Sequence, residues 1–205
     1  MKMISAEDRV GRRHSPRPDE ASDDLIFLRT WMRKPFFTAA ILPSGEALSR
    51  AMAAAVDPSQ PGVFVELGAG TGPITAALVE RGVSPERLIL IEFLPVFCDV
   101  LRRRFPAAHV IAGDAFDAPS LLSALNVGPL AGIVSSLPLY SRRPEQRKHL
   151  LHELLQMGPL GIPFVQATNF ARSPIPIDQT TIKGTRSSRI WTNSFPALVW
   201  TYRQA

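Results

Sequence analysis

Cysteine is almost absent from this sequence of 205 residues, in which Cys98 stands alone. One cysteine cannot form an internal disulfide, and such scarcity is typical of proteins from a reducing compartment. Long hydrophobic runs are absent too, since none reaches the roughly 18 apolar residues that suggest a membrane-spanning helix. The first 24 residues are too polar to contain the core of a signal peptide. We therefore expect a cytoplasmic protein without a spanning helix.

Metal-ligand patterns are missing as well, because the four histidines show no metal-binding spacing with Cys98. We expect no metal site.

Acidic residues are outnumbered, with 18 Asp and Glu against 23 Lys and Arg and a net charge of +5. A basic excess favours a nucleic acid, an anionic membrane surface or an acidic substrate, and does not choose among them.

The chain divides into three segments. Residues 1–22 are polar and interrupted by proline, which predicts a disordered arm. Residues 23–37 predict an amphipathic helix whose basic side chains, Arg29, Arg33 and Lys34, lie opposite an apolar arc. Residues 38–205 form the main domain. The apolar arc consists of Leu25, Phe27, Leu28, Trp31 and Met32.

Strand-like and helix-like runs alternate through the main domain. After a helix predicted at 46–56, five apolar strands, beginning with "GVFVEL" and ending with "IPFVQAT", alternate with helical segments. Near-continuous apolar strands indicate a sheet covered on both faces, and the alternation predicts an α/β fold with a doubly wound parallel sheet. At the end, "SSRIWTNSFPALVWTYR" gives two extended runs around "NSFPA", which predicts an antiparallel hairpin.

A glycine-rich loop follows the first predicted strand. The run from Glu66 to Gly72 reads E-x-G-x-G-x-G, and Pro73 opens the next helix. Proline stands where a dinucleotide-binding loop needs Gly or Ala, and the lysine of a phosphate-binding loop is missing. The loop therefore predicts a site for another adenosine-bearing molecule, at the carboxyl end of the strand.

Two carboxylates follow the next strands. Glu92 ends the second strand, 20 residues after Gly72, where it can accept hydrogen bonds from both ribose hydroxyls. Asp114 follows the third strand, within reach of an adenine amino group. Each carboxylate, taken alone, can instead cap a helix.

Together these features resemble the class I S-adenosylmethionine-dependent methyltransferases, whose Rossmann-like seven-stranded sheet ends in an antiparallel strand. The resemblance implies S-adenosyl-L-methionine as cofactor and S-adenosyl-L-homocysteine as product. By it, Glu66 and the glycine loop surround the methionine part, Glu92 binds the ribose and Asp114 the adenine. The implied cofactor-binding residues are Glu66, Gly68, Ala69, Gly70, Thr71, Gly72, Glu92, Phe93, Asp114, Ala115 and Ser135.

The methyl acceptor is read from the end of the fourth strand, "GIVSSLPLYS". This stretch is similar to the Asn-Leu-Pro-Tyr motif of ribosomal RNA adenine dimethylases. It differs in three places: Ser136 replaces Asn, Leu139 replaces the aromatic residue, and Tyr140 comes one place late. An RNA adenine acceptor stays open, although the amide and the stacking ring that would hold a base are missing.

The chain also resembles the bacterial phospholipid N-methyltransferases. The residues that carry this resemblance are the amphipathic segment 25–37, "AILPSGEALSRAMA", "VELGAGTG", "SSLPLYS" and "TNSFPALVWTYR". It implies methylation of phosphatidylethanolamine, through monomethyl and dimethyl intermediates, to phosphatidylcholine. A non-catalytic module that binds membranes or RNA is a third interpretation.

If the acceptor is a lipid amine, two side chains of "GIVSSLPLYS" have candidate roles. An ammonium has no lone pair, so it must lose a proton before it attacks. Tyr140 is the candidate that orients the amine or relays the proton, and Ser136 and nearby carbonyls accept the other N–H groups. Direct loss of the proton to solvent, and a merely packed Tyr140, are the alternatives.

Binding to an anionic membrane surface is expected through the 23–37 helix, which would make the protein peripheral on the cytoplasmic membrane. The same helix can instead act as a lid over the cofactor. No stable complex with nucleic acid is expected. The residues predicted to contact substrate or membrane are Phe27, Trp31, Arg33, Lys34, Phe36, Leu137 and Arg189.

Overall fold

A computed structural model describes residues 44–178, 180–191 and 196–205. The predicted arm and the amphipathic helix lie outside the described residues, and so do Phe27, Trp31, Arg33, Lys34 and Phe36. In the part of the chain that is described, no helix has the length and apolar character needed to cross a membrane.

The helices and strands are labelled from the first described helix. The helices are α1 (Ser44–Ala54), α2 (Pro73–Arg81), α3 (Pro95–Arg104), α4 (Ala118–Ala124) and α5 (Pro144–Gln156). The strands are β1 (Val63–Leu67), β2 (Leu88–Glu92), β3 (His109–Ala112), β4 (Leu130–Ser135), β5 (Phe164–Thr168), β6 (Ile182–Arg186) and β7 (Leu198–Gln204). Short 3₁₀ turns lie at Pro85–Arg87, Ala115–Asp117 and Leu139–Ser141.

The strands form one seven-stranded sheet in the order β3-β2-β1-β4-β5-β7-β6. Strands β1 to β5 are parallel, and β7 runs antiparallel between β5 and β6. The predicted doubly wound sheet with an antiparallel C-terminal hairpin is confirmed. From the central β1 the chain moves outward to β2 and β3, and then returns to β4 on the other side. This reversal creates a crevice at the carboxyl ends of β1 and β4, where open α/β sheets bind their ligands.

Two hydrophobic cores lie on the two faces of the sheet. Neighbouring residues of a strand point to opposite faces, so Phe64 belongs to one core while Val65 and Leu67 belong to the other. Helix α1 packs against α2, and α4 packs against α5. The apolar runs seen in the sequence are therefore strands buried on both sides.

The hairpin begins earlier than its sequence indicated. The prediction placed its first strand from Ser187 onward, whereas β6 spans Ile182–Arg186. Beyond β6 the pairing continues irregularly: the Ser187 amide donates to the Val199 carbonyl at 2.8 Å, and Ile190 and Ala197 form an isolated bridge. Strand β6 reads "IKGTR", and only Ile182 of it is buried. An edge strand of this kind has no apolar pattern, because pairing with β7 rather than burial defines it.

Gly62, just before β1, offers a test of how β1 and β4 are held together. Its φ is +113°, and a Cβ there would overlap the carbonyl oxygen of Pro129. We expect Gly62→Ala to lower the free energy of unfolding by about 2–4 kcal/mol, because left-handed strain and a backbone clash add up. Urea denaturation would measure the change.

Gly128→Ala is the matched control, since no atom lies within 4 Å of its added Cβ. Its free energy of unfolding should stay within about 1 kcal/mol of the wild type. Equal stabilities of the Gly62 and Gly128 variants would contradict the proposed clash.

Candidate active site

The glycine loop, residues 68–72, leaves the carboxyl end of β1 and lies between the ends of its two neighbours in the sheet. The Gly68 amide donates a hydrogen bond to the Ile91 carbonyl of β2, with N and O 2.8 Å apart. On the other side, the amide of Ser136, the residue after β4, donates to the Leu67 carbonyl at 3.1 Å. The loop is thus fastened at its base to both neighbouring strands.

The loop needs glycine because of its backbone conformation. Gly68, Gly70 and Gly72 have φ values of +73°, +57° and +86°, in the left-handed region that other residues rarely adopt. A Cβ on Gly70 would meet no atom within 4 Å. The backbone at Gly70 therefore faces open space, into which a ligand can approach closely.

Glu92 ties this loop to the end of β2. Its Oε2 accepts a hydrogen bond from the Gly70 amide at 2.8 Å, and its Oε1 accepts one from the Leu94 amide at 2.9 Å. The side chain is only 6% exposed. Two amides thus fix the carboxylate, and each of its oxygens keeps a lone pair for a further donor.

Glu66 is a fully buried carboxyl beneath the loop. Its Oε2 accepts a hydrogen bond from the Thr75 hydroxyl at 2.7 Å, and its Oε1 has no partner among the described residues. Burial raises the pKa of Glu66 to about 8, against the opposing effect of the Thr75 hydrogen bond. The negative charge of Glu92 adds to the rise.

Asp114 makes one contact that the sequence predicted and one that it did not. Its Oδ1 accepts a hydrogen bond from the Phe116 amide at 2.9 Å, which is the capping role kept as an alternative. Its Oδ2 forms an ion pair with Arg142 at 2.8 Å, and the Arg142 guanidinium lies 4.7 Å from the centre of the Phe116 ring. Arg142 belongs to the connection from β4 to α5, so this pair joins that connection to the end of β3.

The acceptor turn, residues 135–138, is held from two sides. The Ser136 hydroxyl donates a hydrogen bond to the Gly68 carbonyl at 2.7 Å. The Gln166 side chain of β5 donates through Nε2 to the Leu137 carbonyl at 3.0 Å. Gln166 was not among the predicted site residues, although it is the polar residue within the apolar strand "IPFVQAT".

Tyr140 lies on the 3₁₀ turn that follows, and is 44% exposed. Its hydroxyl donates toward the carbonyls of Arg172 and Ser173, at 3.1 and 3.3 Å. Its ring packs edge to face with Phe170, with ring centres 4.8 Å apart. Phe170 was also missed, because a single aromatic residue in a connecting segment gives no sequence signal.

The remaining predicted residues occupy different positions. Phe93 follows Glu92 and is 64% exposed, whereas Ala115 and Ser135 are buried. Leu137 lies against the glycine loop, because a Cβ on Gly68 would be 3.1 Å from its Cδ2. Arg189 lies in the connection between β6 and β7, with its guanidinium 5.8 Å from the Trp191 ring centre.

The chain has a similar relative among characterised proteins. It is 33% identical over 144 residues to an ornithine lipid N-methyltransferase of Singulisphaera acidiphila, covering 68% of this chain and 74% of the relative. No family model matches the chain.

Solved structures share the fold at low sequence identity. An O-methyltransferase of Bacillus cereus in complex with S-adenosylhomocysteine has a TM-score of 0.63 at 12% identity, covering 93% of this chain and 92% of its own. A magnesium protoporphyrin IX methyltransferase of Synechocystis with bound S-adenosylmethionine has a TM-score of 0.61 at 9% identity, covering 94% and 100%. At such identities the likeness concerns the fold alone.

The raised pKa of Glu66 predicts how stability changes with pH. In the unfolded chain its carboxyl has a pKa near 4.5, whereas in the folded chain the pKa is about 8. The folded state therefore favours the protonated form. Stability from this group is fully present below pH 4.5 and declines as the pH rises to about 8, by at most about 5 kcal/mol.

Glu66→Gln keeps the shape of the protonated acid but does not ionise. Urea unfolding of both proteins between pH 5 and 9, without cofactor, isolates the Glu66 contribution as the difference between the two curves. We expect the variant to gain stability relative to wild type as the pH rises. Parallel curves would mean that Glu66 ionises normally in the folded protein.

Proposed function

This chain belongs to the class I S-adenosylmethionine-dependent methyltransferases, and we propose that it methylates the headgroup amine of a membrane lipid. The proposed acceptors are phosphatidylethanolamine and its monomethyl and dimethyl forms, with phosphatidylcholine as the final product. The observation that carries the proposal is the 33% identity over 144 residues to an ornithine lipid N-methyltransferase. The protein would act as a peripheral enzyme on the cytoplasmic membrane, held to anionic lipids by the amphipathic helix that the sequence predicts at 23–37.

The residues around the glycine loop fit this cofactor. Glu92 and Asp114 offer carboxylate oxygens to hydroxyl and amino donors, and Glu66, which burial keeps largely protonated at neutral pH, offers a buried carboxyl. Glu66 has a buried oxygen without a partner among the described residues, and space is open above Gly70. We assign Glu66 and the glycine loop to the methionine part, Glu92 and Phe93 to the ribose side, and Asp114 and Ala115 to the adenine, with Ser135 nearby.

The bound cofactor supplies a methyl group on a positively charged sulfur. Transfer is an in-line displacement, so the chain must place the lone pair of the amine against that methyl group. The hydrogen bond from Ser136 to the Gly68 carbonyl fixes the acceptor turn relative to the glycine loop. In the proposed site the Leu137 carbonyl, oriented by Gln166, accepts one N–H of the amine.

Tyr140 would orient the amine by accepting a second N–H. Its hydroxyl hydrogen is directed at the carbonyls of Arg172 and Ser173, which leaves its oxygen lone pairs free. Carbonyl oxygens do not take up protons at neutral pH, so we assign the departing proton to water rather than to a relay through Tyr140. The exposed Tyr140–Phe170 pair offers aromatic surface to the methylated ammonium products.

Ornithine lipid is the second candidate acceptor, favoured by the similarity to an ornithine lipid N-methyltransferase. Both lipids present an aliphatic amine at a membrane surface, so the acceptor turn would serve either. RNA adenine is disfavoured because Ser136 and Leu139 replace the amide and the aromatic ring that hold a base.

Glu92→Gln tests the cofactor assignment. Whichever way its amide is turned, the NH₂ group faces a backbone N–H of Gly70 or Leu94, and it cannot accept a ribose hydrogen bond there. We expect the affinity for S-adenosylmethionine to fall by roughly 1–3 kcal/mol, or about 5- to 150-fold, measured by calorimetry. Glu86→Gln, an exposed carboxylate at the other end of β2, is the control. Unchanged affinity in a folded Glu92 variant would refute the ribose assignment.

The acceptor is identified by incubation with radiolabelled S-adenosylmethionine and vesicles of phosphatidylethanolamine, vesicles containing ornithine lipid, or RNA. We expect label in the chloroform-soluble fraction, since the proposed substrate is a lipid. The two vesicle types rank the two lipid acceptors. Label in RNA alone would overturn the proposed function.

A further inference from the structure

Arg147, near the start of α5, is a buried cation that has no carboxylate partner among the described residues. It is only 8% exposed, and it takes part in none of the ion pairs of the described chain. Its Nη1 donates to the Pro174 carbonyl at 2.5 Å, while its Nε has no partner among the described residues. Buried charges are normally paired, so a guanidinium with no carboxylate partner in residues 44–178, 180–191 and 196–205 is a candidate to bind an external anion.

The position of Arg147 connects it to the proposed acceptor site. Its guanidinium lies 5.2 Å from the centre of the Tyr140 ring, whose edge meets Phe170. The acceptor turn is followed by Leu139 and Tyr140. Tyr140 and Arg147 both donate hydrogen bonds to carbonyls of the segment 172–174. A cation therefore lies behind an exposed aromatic pair, next to the turn proposed to receive the amine.

The Tyr140–Phe170 pair and the neighbouring Arg147 guanidinium favour ligand groups of opposite charge. Aromatic rings attract an ammonium, whereas a guanidinium binds phosphate or carboxylate oxygens through paired N–H groups. A headgroup that carries both an amine and an oxyanion matches this arrangement better than a simple amine does.

We propose that Arg147 forms an anion subsite that takes the oxyanion of a zwitterionic lipid headgroup while Tyr140 and Phe170 face its amine. The inference rests on the proposed lipid methylation and specifies which amines are accepted. The phosphate of phosphatidylethanolamine and the carboxylate of an amino-acid lipid share the required chemistry. A long-chain amine without an oxyanion can contact Tyr140 and Phe170 but has no group for Arg147 to bind.

The first test compares two acceptors in micelles of a neutral detergent, which removes the attraction of a charged surface. One acceptor is phosphatidylethanolamine, and the other is a long-chain primary amine without an anionic group. We expect the wild-type kcat/KM to favour the phospholipid by about tenfold or more, as for a charge-assisted hydrogen bond. Arg147→Gln should remove most of this preference through KM, whereas Arg147→Lys, which keeps the charge, should retain part of it.

Lys148→Gln is the matched control, since it removes one positive charge from an exposed neighbouring position on the same helix. It should keep the wild-type preference. The ratio between two acceptors does not depend on how much enzyme is folded, so a merely structural role of Arg147 would lower both rates and leave the ratio unchanged. An unchanged ratio in Arg147→Gln would overturn the anion subsite.

A second test needs only the wild-type protein, and therefore remains decisive where Arg147→Gln does not fold. Phosphoethanolamine and ethanolamine are compared as inhibitors of lipid methylation. We expect phosphoethanolamine to compete with the lipid at a concentration about tenfold lower, because ethanolamine cannot reach the guanidinium with an oxyanion. Equal inhibition by the two compounds would contradict the subsite.

The proposed function and the subsite fail in different ways. A wild type that binds S-adenosylmethionine but methylates neither phosphatidylethanolamine nor ornithine lipid overturns both. A wild type that methylates lipid with the same acceptor ratio as Arg147→Gln overturns the subsite alone. Where the substitution weakens only one of the two lipids, the subsite is upheld and the oxyanion is identified as phosphate or carboxylate.

Discussion

The candidate site depends on the hydrogen bond between the Glu92 carboxylate and the amide of Gly70, 2.8 Å apart. Three left-handed glycines shape the loop, and the amides of Gly68 and Gly72 donate to backbone carbonyls at its two ends. Glu92 holds that shape against the end of β2, and its second oxygen is fixed in turn by the Leu94 amide. A buried carboxylate is costly unless donors surround it, so the loop and Glu92 stabilise each other.

The acceptor side is built onto the same loop. Ser136 bonds to the Gly68 carbonyl, and Gln166 holds the carbonyl of Leu137 from β5. The hydrogen of the Ser136 hydroxyl is thus donated within the protein, whereas its oxygen keeps lone pairs for the predicted N–H of the amine. The same hydrogen bond holds the acceptor turn in a fixed relation to the cofactor loop, which an in-line transfer requires.

Much of this architecture was predictable. Apolar runs of strand length, alternating with helical segments, predicted the sheet, and the spacing from Gly72 to Glu92 placed a carboxylate at the adjacent strand end. Strand β6 was misplaced because Gly184 and its exposed neighbours have no apolar pattern, and only the ladder with β7 defines it. Asp114 was predicted to bind adenine or to cap a helix, and its ion pair with Arg142, 28 residues later, was not predicted. No local pattern reports such a contact.

The sequence by itself determined the fold class, the glycine loop and the order of the carboxylates along the chain. The fold class follows from the alternation of apolar strands with helical segments, and the glycine loop from local backbone conformation. The carboxylates lie together because parallel strands end at the same edge of the sheet. Only the tertiary structure decided which groups meet at that edge: Gln166 with the Leu137 carbonyl, Tyr140 with Phe170, and Arg147 behind them. Those contacts join residues far apart in sequence, so their geometry depends on how β4, β5 and α5 pack rather than on any one segment.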